Sequence, residues 1–237
     1  VIEERLCGPE VSYHVISDGE CAVPLAAAQD HKRLLEGDRG PNTGGMGAYS
    51  PTPVVTLAME ETIRTHVVEP TLKGMKAEGQ PFRGALFVGL MIVEGKPMVL
   101  EYNVRLGDPE TEVLLARYQG DLLSLLEKAA CGSLAHEVPQ WEAPAALCVV
   151  LASGGYPGAG PQGLPITGFE DACKVPGVQV FHAGTRKEHG RIVTAGGRVL
   201  TVTAVGETME SAADRAYRAA SELQFEGAQF RRDIGAG

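Results

Sequence analysis

The sequence predicts an α+β fold built in two successive parts. Three observations predict it. Apolar residues alternate in paired strand-like runs before Asn103, near-helical spacing governs Thr56–Glu78, and a new β-rich stretch opens after Trp141–Pro144. With 237 residues the chain can bury roughly 70–75% of its unfolded surface, enough for one large domain or two modest ones. The division expected along the chain is 1–140 followed by 141–237.

In order, Val11–Ala28 reads as a hairpin turning at Asp18-Gly19. Gln29–Pro53 has no sustained period and is dense in Gly and Pro, which predicts one long ordered loop of functional type. Thr56–Glu78 then carries Met59, Ile63, Val67, Leu72 and Met75 as a helical stripe, with Pro70 expected to kink or divide it. Ala85–Val93 and Pro97–Asn103 form a second hairpin around Glu94-Gly95. Asp121 is placed to cap a helix that Gly132 ends.

Beyond Trp141, strands are predicted at Leu147–Leu151, Val178–Ala183, Ile192–Thr194 and Val199–Val205, with Gly196-Gly197 as a hairpin turn. Gly154–Gly163 reads as a mobile Gly/Pro-rich loop. Met209–Leu223 is an amphipathic helix expected to lie across the second sheet.

A formal charge of −9 argues against a polyanion-binding surface, so no nucleic-acid partner is expected. No apolar run reaches the ~20 residues of a membrane helix, so no membrane partner is expected either. Cys7, Cys21, Cys131, Cys148 and Cys173 form no CxxC pair and fit reduced thiols in a cytoplasmic protein. Val1–Leu6 shows neither an initiator Met nor a leader pattern and reads as the interior of a longer protein.

Two stretches carry chemistry. In Leu100–Glu110, Glu101 and Asn103 stand two apart on a strand, so both side chains leave one face and offer hard oxygens to one metal ion, Mg²⁺ being the natural candidate. The same spacing also suits two solvated side chains at a strand end. Arg105 follows within reach of phosphoryl oxygens. Asp108 and Glu110 equally suit a turn and a helix N-terminus.

The second stretch is Gly40–Tyr49, where adjacent glycines can aim backbone N–H groups at an anion. It has neither the Gly-Lys-Ser/Thr ending of a Walker loop nor the spacing of a dinucleotide fingerprint. Upstream, Lys32 and Arg33 place two cations near its start. Glu3 and Glu10 flank Leu6 and the break at Gly8-Pro9.

The order and wording of Gln29–Arg33, Gly40–Pro51, Arg105–Glu110, Phe181–Thr185 and Gly196–Leu200 resemble the glycinamide ribonucleotide synthetases, phosphoribosylamine-glycine ligases of the ATP-grasp superfamily. The resemblance spans essentially the whole chain. It implies the second half of an ATP-grasp domain followed by a smaller, mixed, β-rich C-terminal domain. It also implies joining of glycine to 5-phosphoribosylamine at the expense of ATP, through glycyl phosphate, with Mg²⁺ or Mn²⁺ as cofactor.

By the same resemblance Val1–Leu6 is a hinge strand, with Glu3 and the Leu6 backbone at adenine and Glu10 at ribose. Lys32 approaches the phosphates, Glu101 and Asn103 hold the metal, and Arg105 stabilises the transferring group. Asn42, Thr43, Gly44 and Gly45, with Asp108 and Pro109, face glycine and the ribosylamine. One departure stands out: Val88, Gly89 and Leu90 offer no second acidic ligand where many ATP-grasp enzymes carry one. The family's N-terminal part has no counterpart in these residues, so it is an expected partner, and the chain alone is expected to be inactive.

Overall fold

The computed structural model describes residues 2–135 and 137–236. In chain order it contains β1 (Glu10–Asp18), β2 (Ala22–Pro24), β3 (Gln29–Asp30), β4 (Arg33–Leu35), β5 (Arg39–Asn42) and β6 (Gly47–Ser50). Helices α1 (Leu57–Ile63) and α2 (Glu69–Ala77) follow, joined by a π-helical turn over Arg64–Val68, and then β7 (Arg83–Val93) and β8 (Lys96–Asn103). Next come α3 (Glu110–Arg117), β9 (Tyr118–Gln119), α4 (Leu122–Cys131) and β10 (Gln140–Trp141). The chain continues through β11 (Ala145–Ala152), α5 (Phe169–Ala172), β12 (Val178–His182), β13 (Thr185–Glu188), β14 (Arg191–Thr194), β15 (Arg198–Gly206) and α6 (Met209–Glu222).

These elements make two compact units. One takes the described residues up to Gln29 with Pro51–Gly107 and Tyr118–Trp141, and the other takes Asp30–Ser50, Asp108–Arg117 and the chain from Glu142 on. The units interleave along the chain. The physical reason is pairing: β6 hydrogen-bonds antiparallel to β11, Ala146 facing Ser50 and Val149 facing Gly47.

The first unit holds an antiparallel sheet of order β2-β1-β7-β8. Residues facing each other across antiparallel strands share a face, and neighbours along a strand alternate. Val11, Tyr13 and Val15 of β1 with Leu86, Val88 and Leu90 of β7 thus pack on Ile63, Val67, Val68 and Leu72 of the helical segment. On the opposite face Ile16 packs with Leu125 and Ala129 of α4. Both faces are covered, which is why β1 is buried nearly throughout despite its polar residues.

Pro70 sits in the first turn of α2, where its missing N–H costs nothing, and the irregularity falls before it as the π-turn. Asp121 Oδ1 accepts from Ser124 N–H at 3.1 Å and Gly132 closes α4 at φ +77°, as the sequence requires.

The second unit is a sheet of order β12-β15-β11-β6-β3. Leu147, Val149 and Leu151 of β11 and Leu200, Val202 and Ala204 of β15 bury against Ala212, Ala216, Ala219 and Ala220 of α6. The small alanine side chains let that helix lie close on the sheet.

Several expectations change. Gln29–Pro53 is not one loop but contributes β3 to β6. Gly196-Gly197 turns no hairpin, because β14 pairs with β13 while β15 pairs with β11 and β12. The glycines serve close approach: a Cβ on Gly197 would lie 2.4 Å from the Tyr156 ring. The Gly154–Gly163 loop, expected to be mobile, is tied down by Gln229 Nε2 donating to Ser153 O at 2.9 Å and by Tyr156. Of the expected hinge strand, Val1 lies outside the described residues, and 2–6 have no regular structure.

Asp18 ends β1 and closes its turn. Its carboxylate is buried and accepts N–H groups from Glu20, Cys21 and Leu134. Burial opposes its charge, yet those hydrogen bonds hold its pKa below the usual value. Asp18→Ala would leave buried donors unpaired, so chemical denaturation should show a loss of about 2–4 kcal/mol at neutral pH. That loss should shrink as pH falls from about 4, where the unfolded chain's carboxyl protonates, down through the lower pKa of the native carboxylate.

Candidate active site

Strand register assembles the first group of residues. Ser12, Gly89 and Glu101 stand in one row across β1, β7 and β8, and His14, Phe87 and Asn103 stand in the next. All six share the face opposite the α1–α2 segment. Glu101 is exposed at this end of β8, and a Cβ on Gly89 would come within 3.1 Å of its Cγ. Glycine opposite Glu101 leaves that carboxylate room, which accounts physically for the missing second acid. Asn103 is half-buried, and its Nδ2 has no hydrogen-bond partner among the described residues. One carboxylate and one amide on a common face fit a hard cation that keeps most of its water. Among the described residues no three His, Cys, Asp or Glu side chains converge as a metal cage.

His14, which sequence reasoning passed over, lies under this end of the sheet. It is fully buried, stacks on Phe87 at 4.7 Å between centroids, and accepts the Gly107 N–H on Nε2 at 3.0 Å. Burial first, and the nearby Arg105 charge second, lower its pKa to about 3. The imidazole is therefore neutral at physiological pH with its proton on Nδ1, and it holds the backbone just after Arg105 in place. The Arg105 guanidinium is exposed and donates to Leu106 O at 3.0 Å.

Glu10 opens β1 opposite Met91, while Glu3 is exposed and Leu6 half-buried in the irregular segment before it. Gly8 sits so close to β7 that a Cβ would lie 2.1 Å from Ile92 O, and Ile92 N–H donates to Pro9 O at 3.0 Å.

The second unit carries the other group. Lys32 O accepts both the N–H and the hydroxyl of Thr43, at 2.7 and 2.8 Å. Thr43 Oγ1 in turn accepts from Gly45 N–H at 3.0 Å, and Gly44 N–H donates to the Tyr156 hydroxyl at 2.8 Å. The expected anion nest is thereby corrected, because the N–H groups of Gly44 and Gly45 already have acceptors. The glycines are needed for space. Gly45 has φ +113°, and a Cβ there would meet Pro109 Cδ at 2.5 Å and Asp30 Oδ1 at 2.7 Å. Asn42 is exposed at the end of β5.

Arg198 ties this loop to the turn before α3. It donates to Gly44 O at 2.8 Å and Asp108 O at 2.9 Å, and pairs with the Asp108 carboxylate. Neither Arg198 nor Tyr156 stood out as a site residue in the sequence. Each became relevant through glycine, a signal readable only once the contacts are known. Glu110 is the first residue of α3, as its sequence position allowed. Glu112, one turn along α3 from Asp108, has a buried Oε2 with no partner. Burial, then the Asp108 charge, raises its pKa to about 7.

The antiparallel sheet that carries Glu101, Asn103 and Arg105 lies within residues that match an ATP-grasp (A) domain, which makes this a member of the ATP-grasp class. Biotin carboxylase structures share the fold alone: that of the Hydrogenobacter thermophilus 2-oxoglutarate carboxylase matches 93% of this chain and 46% of its own with a TM-score of 0.63 at 16% identity. The chain belongs to the phosphoribosylglycinamide synthetase family, with residues 1–111 matching its ATP-grasp (A) domain and residues 146–237 its C domain.

The phosphoribosylamine–glycine ligase of Rhizobium meliloti is 51% identical over 99% of this chain and 55% of its own length. The human trifunctional purine biosynthetic protein adenosine-3 is 48% identical over 99% of this chain and 23% of its own. A Thermotoga maritima phosphoribosylamine–glycine ligase structure superposes with a TM-score of 0.88 at 40% identity, covering 98% of this chain and 57% of that one. The chain thus spans about half the length of the curated bacterial ligase it matches. No helix among the described residues is long and apolar enough to cross a membrane.

Two outcomes test this geometry. Arg198→Ala should speed hydrogen exchange of the Gly44 and Gly45 amides at least about ten-fold, since the loop loses its carbonyl donor while the sheet stays intact. For Glu112, a folded pKa above the ordinary 4.5 means the native state favours the neutral acid. Stability should therefore fall as pH rises from about 5 through 7, by no more than about 3 kcal/mol. Glu112→Gln should abolish that slope in denaturation measured at pH 5 and pH 8.

Proposed function

We propose that this chain forms the ATP-grasp A and C part of a phosphoribosylamine–glycine ligase. The reaction joins glycine to 5-phosphoribosylamine and yields glycinamide ribonucleotide, ADP and phosphate. The observation that carries this reading is 51% identity over 99% of the chain to a protein of that name.

The chemistry asked of the residues is modest. A glycine carboxylate oxygen attacks the γ-phosphorus of ATP, the bond to the β-phosphate oxygen breaks, and ADP leaves. The amine then adds to the acyl carbon, loses a proton and expels phosphate. A carboxylate is a poor electrophile until phosphorylated, so catalysis rests on positioning and on neutralising phosphoryl charge. Mg²⁺ or Mn²⁺, when bound, supplies much of that neutralisation.

In this reading Glu101 and Asn103 are the cation's protein ligands, and the exposed Arg105 guanidinium bears on the transferring phosphoryl group. His14 holds Gly107 and so steadies the segment that carries Arg105. Glu3 and the Leu6 backbone meet adenine, Glu10 the ribose, and Lys32 the phosphates. Asn42, Thr43, Gly44, Gly45, Asp108 and Pro109 serve the glycine and ribosylamine side. Because the Gly44 and Gly45 amides are engaged, that service comes from carbonyls, side chains and shape.

The test uses the chain joined to the N-terminal part that completes its relatives' length. Glycine- and phosphoribosylamine-dependent ADP release is expected, and its absence in a folded protein overturns the reading. Glu101→Ala should lower kcat by at least about a hundred-fold with a smaller change in KM for ATP, and Asn103→Ala should do so more mildly. Glu10→Ala should mainly raise KM for ATP. Glu101 is exposed, so melting temperature should hardly move. Near-normal turnover of Glu101→Ala at limiting Mg²⁺ removes the metal assignment.

A further inference from the structure

Two side chains of the second unit stand outside the roles already given and hold its glycine-rich loop. Tyr156 follows β11, and Arg198 opens β15. Both fall among the residues that match the C domain, whereas Gly44 and Asp108 fall among those that match the A domain. All four belong to one compact unit.

The loop is held by its backbone at both polar groups of one residue. Gly44 N–H donates to the Tyr156 hydroxyl at 2.8 Å, and Gly44 O accepts from Arg198 Nη1 at 2.8 Å. The same Nη1 donates to Asp108 O at 2.9 Å, while Nη2 donates to the Asp108 carboxylate at 3.1 Å. One planar guanidinium therefore sets the spacing between the loop and the turn before α3. A lysine, with a single point of donation, has no such fork.

The two side chains are themselves fixed from behind. The Tyr156 ring lies on the backbone beside Arg198, where a Cβ on Gly197 would stand 2.4 Å from it. Ser153 joins the two segments, its hydroxyl donating to Gly196 O at 3.1 Å and its N–H to Gly197 O at 2.8 Å. Gln229 Nε2 donates to Ser153 O at 2.9 Å. The Arg198 side chain is 23% exposed, so its bonds are partly shielded from competing water.

We propose that Tyr156 and Arg198 are positioning residues of the glycine and ribosylamine side, holding Gly44 and Asp108 at the spacing those substrates meet. The role rests on the ligase reading given above. Small displacements of groups that align reactants cost large factors in rate, so loosening this grip should act on the two acceptor substrates and spare ATP. A purely structural loss would instead lower the folded fraction, and with it kcat, leaving every KM where it was.

The test uses the chain joined to the N-terminal part that completes its relatives' length. Tyr156→Phe removes the acceptor of the Gly44 N–H but keeps the ring against Gly197. It should raise KM for glycine or for phosphoribosylamine at least about ten-fold, with KM for ATP within about two-fold of the unaltered protein. Arg198→Gln should do the same, and Arg198→Lys should recover little of the loss. Added guanidinium ion, at concentrations too low to denature, should lower the raised KM of Arg198→Ala and leave that of Tyr156→Phe unchanged. Melting temperature confirms folding, and if Arg198→Gln fails to fold, Tyr156→Phe and Arg198→Lys decide the outcome. Absence of glycine-dependent ADP release from the unaltered protein sinks the ligase reading and this role together. Normal turnover of that protein, beside folded variants whose KM values for both acceptor substrates are unchanged or whose KM for ATP rises equally, overturns this role alone.

Discussion

The antiparallel register of β1, β7 and β8 is the constraint on which the first unit and its chemistry rest. It aligns His14 with Phe87 and Asn103, and Ser12 with Gly89 and Glu101. A slip of one residue would turn Glu101 and Asn103 toward the Ile63–Leu72 core and bring Tyr102 to the opposite face. That core does not tolerate a carboxylate. The apolar contacts of Val11, Tyr13 and Val15 on the far side therefore hold the polar row in place, and packing energy on one face becomes positional accuracy on the other.

His14 shows how burial and function connect in the same sheet. A fully buried imidazole that remains neutral is a fixed hydrogen-bond acceptor, with no charge to titrate near Arg105. Its bond to the Gly107 N–H fixes the backbone two residues after the arginine. The cost of burying this polar ring is lowered by stacking on Phe87.

The second unit solves a different problem with the same means. Its Gly-rich segment is ordered by Thr43 and Tyr156, whose hydroxyls accept the Gly45 and Gly44 N–H groups, and by Arg198, which donates to Gly44 O. Glycine is used at Gly45 because Pro109 and Asp30 come too close for any side chain. Glu112 Oε2, His31 Nδ1 and Thr203 Oγ1 are buried in this unit without a partner, and burial is what keeps the Glu112 carboxyl partly neutral near pH 7.

The sequence by itself determined the α+β class, the hairpins of β1–β2 and β7–β8, the capped helix α4, the amphipathic α6 and the shared strand face of Glu101 and Asn103. Those features depend on periods of 2 and 3.6, on caps and on turn residues, all of which act within a few positions. Tertiary structure alone decided that Gly47–Ser50 joins the β11 sheet, that Gly196-Gly197 makes room for packing instead of a turn, and that the Gly44 and Gly45 amides are already engaged. It also decided the states of His14 and Glu112, because burial and long-range hydrogen bonds join residues about a hundred positions apart that no local pattern connects.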